Sequence, residues 1–143
     1  MELAYRKATE EDIDFLFDLR MQTMTEHYVS SHLPTDEEST IKRILYRFEN
    51  AHLIIVENQP IGLLKLSINE KDIEILQLQI HPALQGKGIG KSILKGILSK
   101  AASSQKTVRL SVLKTNQAKR LYLSLGFKII SEDQHSFHME FNH

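Results

Sequence analysis

The sequence predicts a mixed α/β sandwich in which helices flank a central, mostly antiparallel sheet. Three observations carry that expectation. Apolar residues recur at helical spacing near the N-terminus and switch to alternation in the middle of the chain; helical and alternating stretches then follow in turn. Three strand-like runs, one continuous and two alternating, joined only by short turns call for antiparallel neighbours. A glycine-rich segment sits where the third of these runs gives way to a helix.

Residues 3–8 read as a short strand. Thr9 fits an N-cap, with Asp12 three residues on and acidic residues filling the first turn. Ile13, Leu16, Phe17 and Met21 follow at helical spacing and carry a first helix to about Thr25. Residues 28–34 read as irregular, with a Ser-Ser-His-Leu-Pro loop. Asp36 fits the cap of a second helix whose apolar stripe is Ile41, Ile44, Leu45 and Phe48. Residues 53–56 form a run rich in β-branched side chains, and Asn58-Gln59-Pro60 is turn chemistry. Leu64, Leu66 and Ile68 alternate with Lys65 and Ser67 in the pattern of a half-buried strand. A turn over residues 69–72 leads to residues 73–80, where Leu76, Leu78 and Ile80 alternate with Gln77 and Gln79. His81-Pro82 ends this strand, because proline cannot donate to a ladder. Ile89, Ile93, Leu94, Ile97 and Leu98 then mark an amphipathic helix, and Val108, Leu110 and Val112 a further strand. Ala118, Leu121, Tyr122 and Leu125 mark a last helix, which Gly126 is placed to end at C′. Residues 127–130 and 137–141 close the chain as a strand pair. The expected order is β-α-α-β-β-β-α-β-α-β-β.

At 143 residues the chain fits one domain, 1–143, large enough to bury a core. Lys plus Arg and Asp plus Glu both number 18, so no net field draws it to nucleic acid or to an anionic membrane. Cysteine is absent, which removes disulfides, zinc ribbons and a catalytic thiol together. Residues 1–9 lack an apolar h-region, and no apolar run approaches the roughly 20 residues of a spanning helix. These features predict a cytoplasmic protein. His135 and His138 are three apart, which in a strand puts them on opposite faces, so both read as surface residues and no metal is expected. A homodimer through the C-terminal strands suits so small a domain.

The segment Gln85-Gly86-Lys87-Gly88-Ile89-Gly90-Lys91-Ser92 lies between a strand end and a helix start. Its glycines allow close approach of backbone to ligand, and the unpaired amides of the first helical turn converge on one spot. That arrangement binds phosphate, and Lys87 and Lys91 add positive charge. A tight strand-to-helix turn is the plainer explanation, yet three glycines and two lysines exceed what a turn needs. The P-loop spacing G-x-x-x-x-G-K-[ST] fails, because position 85 is glutamine and Gly86 lies one residue too close. The dinucleotide spacing G-x-G-x-x-G fails too, since Gly86, Gly88 and Gly90 give G-x-G-x-G.

The pattern [RQ]-x-x-G-x-[GA], met by Gln85, Gly88 and Gly90, resembles the acyl-CoA loop of the GNAT superfamily of N-acetyltransferases. Leu78-Gln79-Ile80-His81-Pro82 upstream is similar to the family's fourth-strand signature. Downstream, the stretch from Leu110 through Asn116, Ala118 and Tyr122 to Gly126-Phe127 resembles its second motif, V…N…A…LY…LGF. The match covers residues 74–127, and the element order supports the rest. Asn116 departs from the pattern: it lies six residues before Tyr122 where many members have seven.

The resemblance implies direct transfer of acetyl from acetyl-CoA to an amine. Leu78, Gln79 and Ile80 would pair with the pantetheine arm as an added strand, with an amide near Ile80 polarising the thioester carbonyl. Gln85, Gly86, Lys87, Gly88, Ile89, Gly90 and Lys91 would hold the pyrophosphate, and Asn116 would contact the cofactor. Tyr122 is the expected general acid, since a phenol of pKa about 10 stays protonated where a thiolate of about 8.5 departs. Its competing reading is a core aromatic, because Ala118, Leu121 and Leu125 share its face. Deprotonating a lysine-like amine at pH 7 needs about 4.6 kcal/mol. Glu74 is the candidate base: in unbroken alternation it shares parity with Leu76, Leu78 and Ile80, whose apolar surroundings would raise its pKa. A solvated strand-end carboxylate is its alternative. His81 falls on the other face, while His27, Tyr28 and His32 lie where the family commonly builds its acceptor pocket. Two other functions stay open: an acyl-CoA-binding module without turnover, and a nucleotide-binding protein with an aberrant P-loop over residues 86–92.

Overall fold

The computed structural model describes residues 2–142. In chain order its elements are β1 (Ala4–Lys7), α1 (Ile13–Thr23), α2 (Thr25–Ser30), α3 (Glu37–Leu45), β2 (Ala51–Val56), β3 (Gln59–Ile68), β4 (Asp72–Ile80), α4 (Ile89–Ser103), β5 (Thr107–Leu113), α5 (Ala118–Ser124), β6 (Lys128–Glu132) and β7 (Ser136–Phe141). One seven-stranded sheet runs β1-β2-β3-β4-β5-β7-β6. Every neighbouring pair is antiparallel except β4 and β5, which α4 joins as a crossover. This is the mixed, mostly antiparallel sheet flanked by helices that the alternating periods predict.

Both faces of the sheet are covered. Ile93, Leu94 and Ile97 of α4 pack on Leu64, Ile73, Ile75 and Ile80, with Val108, Leu110, Phe127 and Met139 continuing the same cluster. Leu16 and Leu19 of α1 and Ile44 of α3 close over Leu53 and Leu63 on the opposite face. The expected helix starts hold. Thr9 N–H donates to Asp12 Oδ2 at 2.8 Å, and Asp36 accepts from Ser39 N–H at 3.1 Å. Arg6 grips the same Asp12 with both terminal nitrogens, at 2.9 and 3.0 Å, and holds its carboxyl below the usual range.

The structure differs from the sequence reading in three places that matter for the site. First, α2 takes in Tyr28 to Ser30, the start of the stretch expected to be irregular. Arg20 donates to the Tyr28 hydroxyl at 2.6 Å, and Ser31 Oγ lies 3.3 Å from Thr115 Oγ1, so tertiary contacts stabilise a helix that propensity did not mark. Second, Lys65 does not face solvent. It is 2 % exposed, and its ammonium donates to the carbonyls of Arg43, Ile44 and Tyr46 at 3.3, 2.8 and 2.6 Å. These are carbonyls at the C-terminal end of α3, which a cation suits. Third, β4 carries a bulge. Lys65 pairs with Gln77 but Leu66 pairs with Ile75, leaving Leu76 as the extra residue and inverting parity across it.

Candidate active site

The sheet splits at the parallel pair. β4 and β5 pair only from Asp72 opposite Thr107 to Ile75 opposite Leu110. Beyond Ile75 the backbone of β4 has no strand beside it on that edge, which leaves an edge open to an extended ligand. A cleft of about 820 Å³ occupies the gap. It is lined by Leu78, Gln79 and Ile80 from β4, by the glycine loop and start of α4, by Asn116, Ala118, Leu121 and Tyr122, and by Thr23, Met24, Glu26 and His27 around the junction of α1 and α2.

The glycine loop is shaped for a ligand. Gly86 (φ +77°) and Gly88 (φ +81°) adopt left-handed conformations that favour glycine. A Cβ added at Gly86, Gly88 or Gly90 would meet nothing within 4 Å, so no protein contact explains why all three are glycine. The surface over them is an open cradle. Ile89, 5 % exposed, pins the first turn of α4 into the core, and no acidic residue stands in that turn to compete with an anion. Gln85 lines the cleft as well, and its Nε2 donates to the Ile80 carbonyl at 2.9 Å and laces the loop to the strand end. Lys91 lines the cleft, whereas Lys87 is exposed and lies off its wall.

Tyr122 is set by the end of its own helix. Gly126 (φ +104°) donates to Leu123 O and Phe127 N–H to Tyr122 O, both at 3.1 Å, which is a Schellman termination. Its accompanying contact is Tyr122 against Phe127, ring centroids 5.8 Å apart. The Leu-Gly-Phe sequence is thus a cap that fixes the tyrosine. The ring packs on the core while the residue also lines the cleft, so its packing does not take Tyr122 out of the cleft. Burial pushes its phenol above the ordinary value. Asn116 Oδ1 accepts from Ala118 N–H at 2.9 Å and so caps α5 beside the cleft.

Glu74 is not where unbroken alternation puts it. The bulge at Leu76 puts Ile73, Ile75, Leu78 and Ile80 on the α4 face, and Glu74 on the opposite face with Gln77 and Gln79. It is exposed and lines not the large cleft but a second opening of about 210 Å³, together with Arg43, Tyr46, Lys65, Gln77 and Ser111. His27 reaches the large cleft; Tyr28 and His32 do not, and His81 Nδ1 accepts from Ala83 N–H at the strand end. His138 is more than a surface residue. Its Nδ1 lies 2.7 Å from Ser111 Oγ and its Nε2 lies 3.0 Å from Asp133 Oδ2. Backbone N–H groups of His135 and Ser136 hold the Asp133 carboxyl below its usual range, with His138 adding to this. No spacing signals this chain of three, since β7 brings it together only by inserting between β5 and β6. Among the described residues no group of three or more acidic or histidine side chains is placed to hold a metal ion.

A split sheet, a free β4 edge, a glycine cradle and a capped tyrosine meet in one cleft. The family description "Acetyltransferase (GNAT) domain" matches residues 15–143. The chain belongs to the GNAT acetyltransferase family. Solved structures share the fold. The PaiA N-acetyltransferase of Thermoplasma acidophilum, in complex with coenzyme A, is 22% identical with a TM-score of 0.74, over 100% of both chains. An acetyltransferase from Thermus thermophilus reaches 0.79 at 17% identity, over 100% of this chain and 98% of that one. The ribosomal-protein alanine N-acetyltransferase of Escherichia coli reaches 0.70 at 14% identity, over 99% and 94%. Among functionally described proteins none matches the chain by sequence. Membership in this GNAT family brings acyltransferase chemistry with an acyl-CoA donor. No helix of the described residues is long and apolar enough to cross a membrane.

Proposed function

We propose that this chain is an acetyl-CoA-dependent N-acetyltransferase, a single cytoplasmic domain over residues 1–143 that acetylates an amine of a small molecule or peptide. The observation that carries the reading is the free edge of β4 running straight into the glycine cradle, with Tyr122 on the facing wall. Leu78, Gln79 and Ile80 offer backbone partners to the pantetheine arm. Gly86, Gly88, Ile89, Gly90 and Lys91 form the anion end, with Lys87 adding charge from outside and Gln85 bracing the loop. Asn116 keeps α5 in register with the cleft. Acetyl-CoA supplies an activated acyl group as a thioester. The amine nitrogen bonds to the acyl carbon, the carbon–sulfur bond breaks, and Tyr122 gives the departing thiolate its proton. Burial that raises the Tyr122 phenol keeps that proton in place through the neutral range.

The proton lost by the amine has two routes on the second opening. Glu74 is the first; Ser111, passing its hydroxyl proton to His138 while accepting from the amine, is the other. The two short hydrogen bonds through His138 to Asp133 favour that second route. The acceptor of the Escherichia coli relative, an alanine of a ribosomal protein by its name, supports peptide amines as one class to screen.

A thermal-shift series with acetyl-CoA, CoA, ATP-Mg²⁺ and NADH at equal concentration tests the donor. A ligand at 100 times its dissociation constant adds about 2.7 kcal/mol of stability. Selective shifts with acetyl-CoA and CoA, followed by amine-dependent release of free thiol, support the reading. A shift with ATP-Mg²⁺ alone would refute it.

A further inference from the structure

Three cations crowd the junction of α1, α3 and β3. Arg20 and Lys65 are 4 % and 2 % exposed, and the Arg43 guanidinium lies 3.9 Å from the centre of the Tyr28 ring, with Arg20 5.4 Å from it on the same ring. Among the described residues none of the three makes an ion pair; the acids that act on them from further off, Glu49 on Lys65 and Asp36 on Arg43, are both exposed, and Glu49 is paired with Arg47 at 3.3 Å. Arg20 spends one nitrogen on Tyr28, and its Nε and Nη1 are buried with no partner. Lys65 gives its protons to carbonyls, so it supplies field rather than a free donor. Burial, with Arg43 adding repulsion, pushes Arg20 below its ordinary value, and burial with Arg20 does the same to Lys65. So much uncompensated positive charge is costly unless an anion visits.

The 210 Å³ opening gives an anion a place beside Arg43 and Lys65, while Arg20 lines a separate opening with Arg43 and Tyr28. Arg43 and Lys65 stand on one wall; Glu74, Gln77 and Ser111 stand on the other. Gln77 Oε1 is buried without a donor, the mirror image of the donors left over on Arg20. Arg43 and Lys65 have no acid beside them on their wall, and on the other wall the Gln77 side-chain oxygen has no donor. At about 30 Å³ per water, the volume suits a molecule of amino-acid size.

Resting on the acetyltransferase reading above, we propose that the acceptor is a small amino carboxylate, bound with its carboxylate on Arg43 and its amine toward Gln77, Glu74 and Ser111. The carboxylate anchors the molecule with its nitrogen near the split of the sheet, where β4 faces the donor cleft. Bond making and breaking are those of the transfer above.

The test pairs free amino acids with the matching amino amides, in amine-dependent thiol release at saturating acetyl-CoA. Calorimetric binding of N-acetyl amino acids and N-acetyl amino amides to the CoA-bound protein gives a readout without turnover. Losing a charge-assisted pair costs about ten- to hundred-fold, so the acids should lead the amides by about that factor in kcat/KM and in affinity. Arg43→Gln, checked for an unchanged melting profile, should collapse the ratio, and Arg43→Lys should restore part of it. Equal use of acids and amides, preference for amines without a carboxylate, or an unchanged ratio in Arg43→Gln overturns the proposal while leaving the transferase reading intact. Selective binding of the N-acetyl acids with no thiol release from any amine supports the anion pocket and sinks the transferase reading.

Discussion

Replacing Gly126 by alanine tests the link between the end of α5 and the chemistry assigned to Tyr122. The backbone there sits at φ +104°, and a Cβ would lie 2.8 Å from Phe141 Cε2. Left-handed strain costs about 1–2 kcal/mol and forced overpacking about 1–3, so the variant should lose roughly 2–5 kcal/mol. At roughly 2–4 °C per kcal/mol for a chain of this size, the melting temperature should fall by roughly 4–20 °C. Relief of either strain moves the Schellman bonds, and with them the Tyr122–Phe127 contact that aims the phenol. Turnover measured well below the new melting point should therefore drop, with acetyl-CoA affinity less affected. Adding Phe141→Leu should recover the overpacking share and leave the backbone share. A variant that melts within a degree of the parent would show that Gly126 is not held in this conformation, and the account of how Tyr122 is aimed would fall with it.

Gly88→Glu puts a carboxylate into the cradle at a left-handed position with open space around it, so acetyl-CoA binding should vanish while the protein still melts cooperatively; retained affinity by calorimetry would move the site elsewhere. Tyr122→Phe removes only the hydroxyl, so turnover should fall about a hundredfold with acetyl-CoA affinity little changed, and wild-type turnover would make Tyr122 a packing residue alone. Glu74→Gln and His138→Gln separate the two proton routes: the variant with the larger loss of kcat at neutral pH marks the one used, and the loss should shrink as pH rises and the free amine becomes abundant. Lys65 is held at a pKa of about 8 against an ordinary 10.5. Between those values the unfolded chain binds more protons, so stability relative to Lys65→Met should rise with pH, by up to about 3 kcal/mol. A difference that stays flat from pH 8 to 10 by denaturant melts would return Lys65 to an ordinary ammonium.

What the sequence made legible were features whose physics is local. Gly86, Gly88 and Gly126 each occupy a positive φ, so the loop and the cap of α5 announce themselves through residue type alone. The open cradle and the capped tyrosine follow from those same glycines. What escaped was decided between strands. No glycine or proline marks the bulge at Leu76, because the extra residue exists only relative to β3, and a leucine in an alternating run looks paired. That one residue carries Glu74 from the apolar face to the opposite one, which is why its apolar surroundings did not materialise. Lys65 misled in the same way: alternation fixes which face a side chain takes, and only the docking of α3 decides whether that face is wet.

The bulge also explains why one split in the sheet can serve two molecules. Without it, Gln77 would stand on the α4 face with Ile73 and Ile75, and Leu78 would turn away from the donor cleft. With it, consecutive residues present opposite chemistry: Leu78 and Ile80 help line the large cleft, while Glu74 and Gln77 look into the smaller opening across the sheet. A strand that had paired fully with β5 could offer neither its free edge nor this change of face. The parity error at Glu74 and the reach of the site to both faces therefore have a single cause, the residue inserted at Leu76.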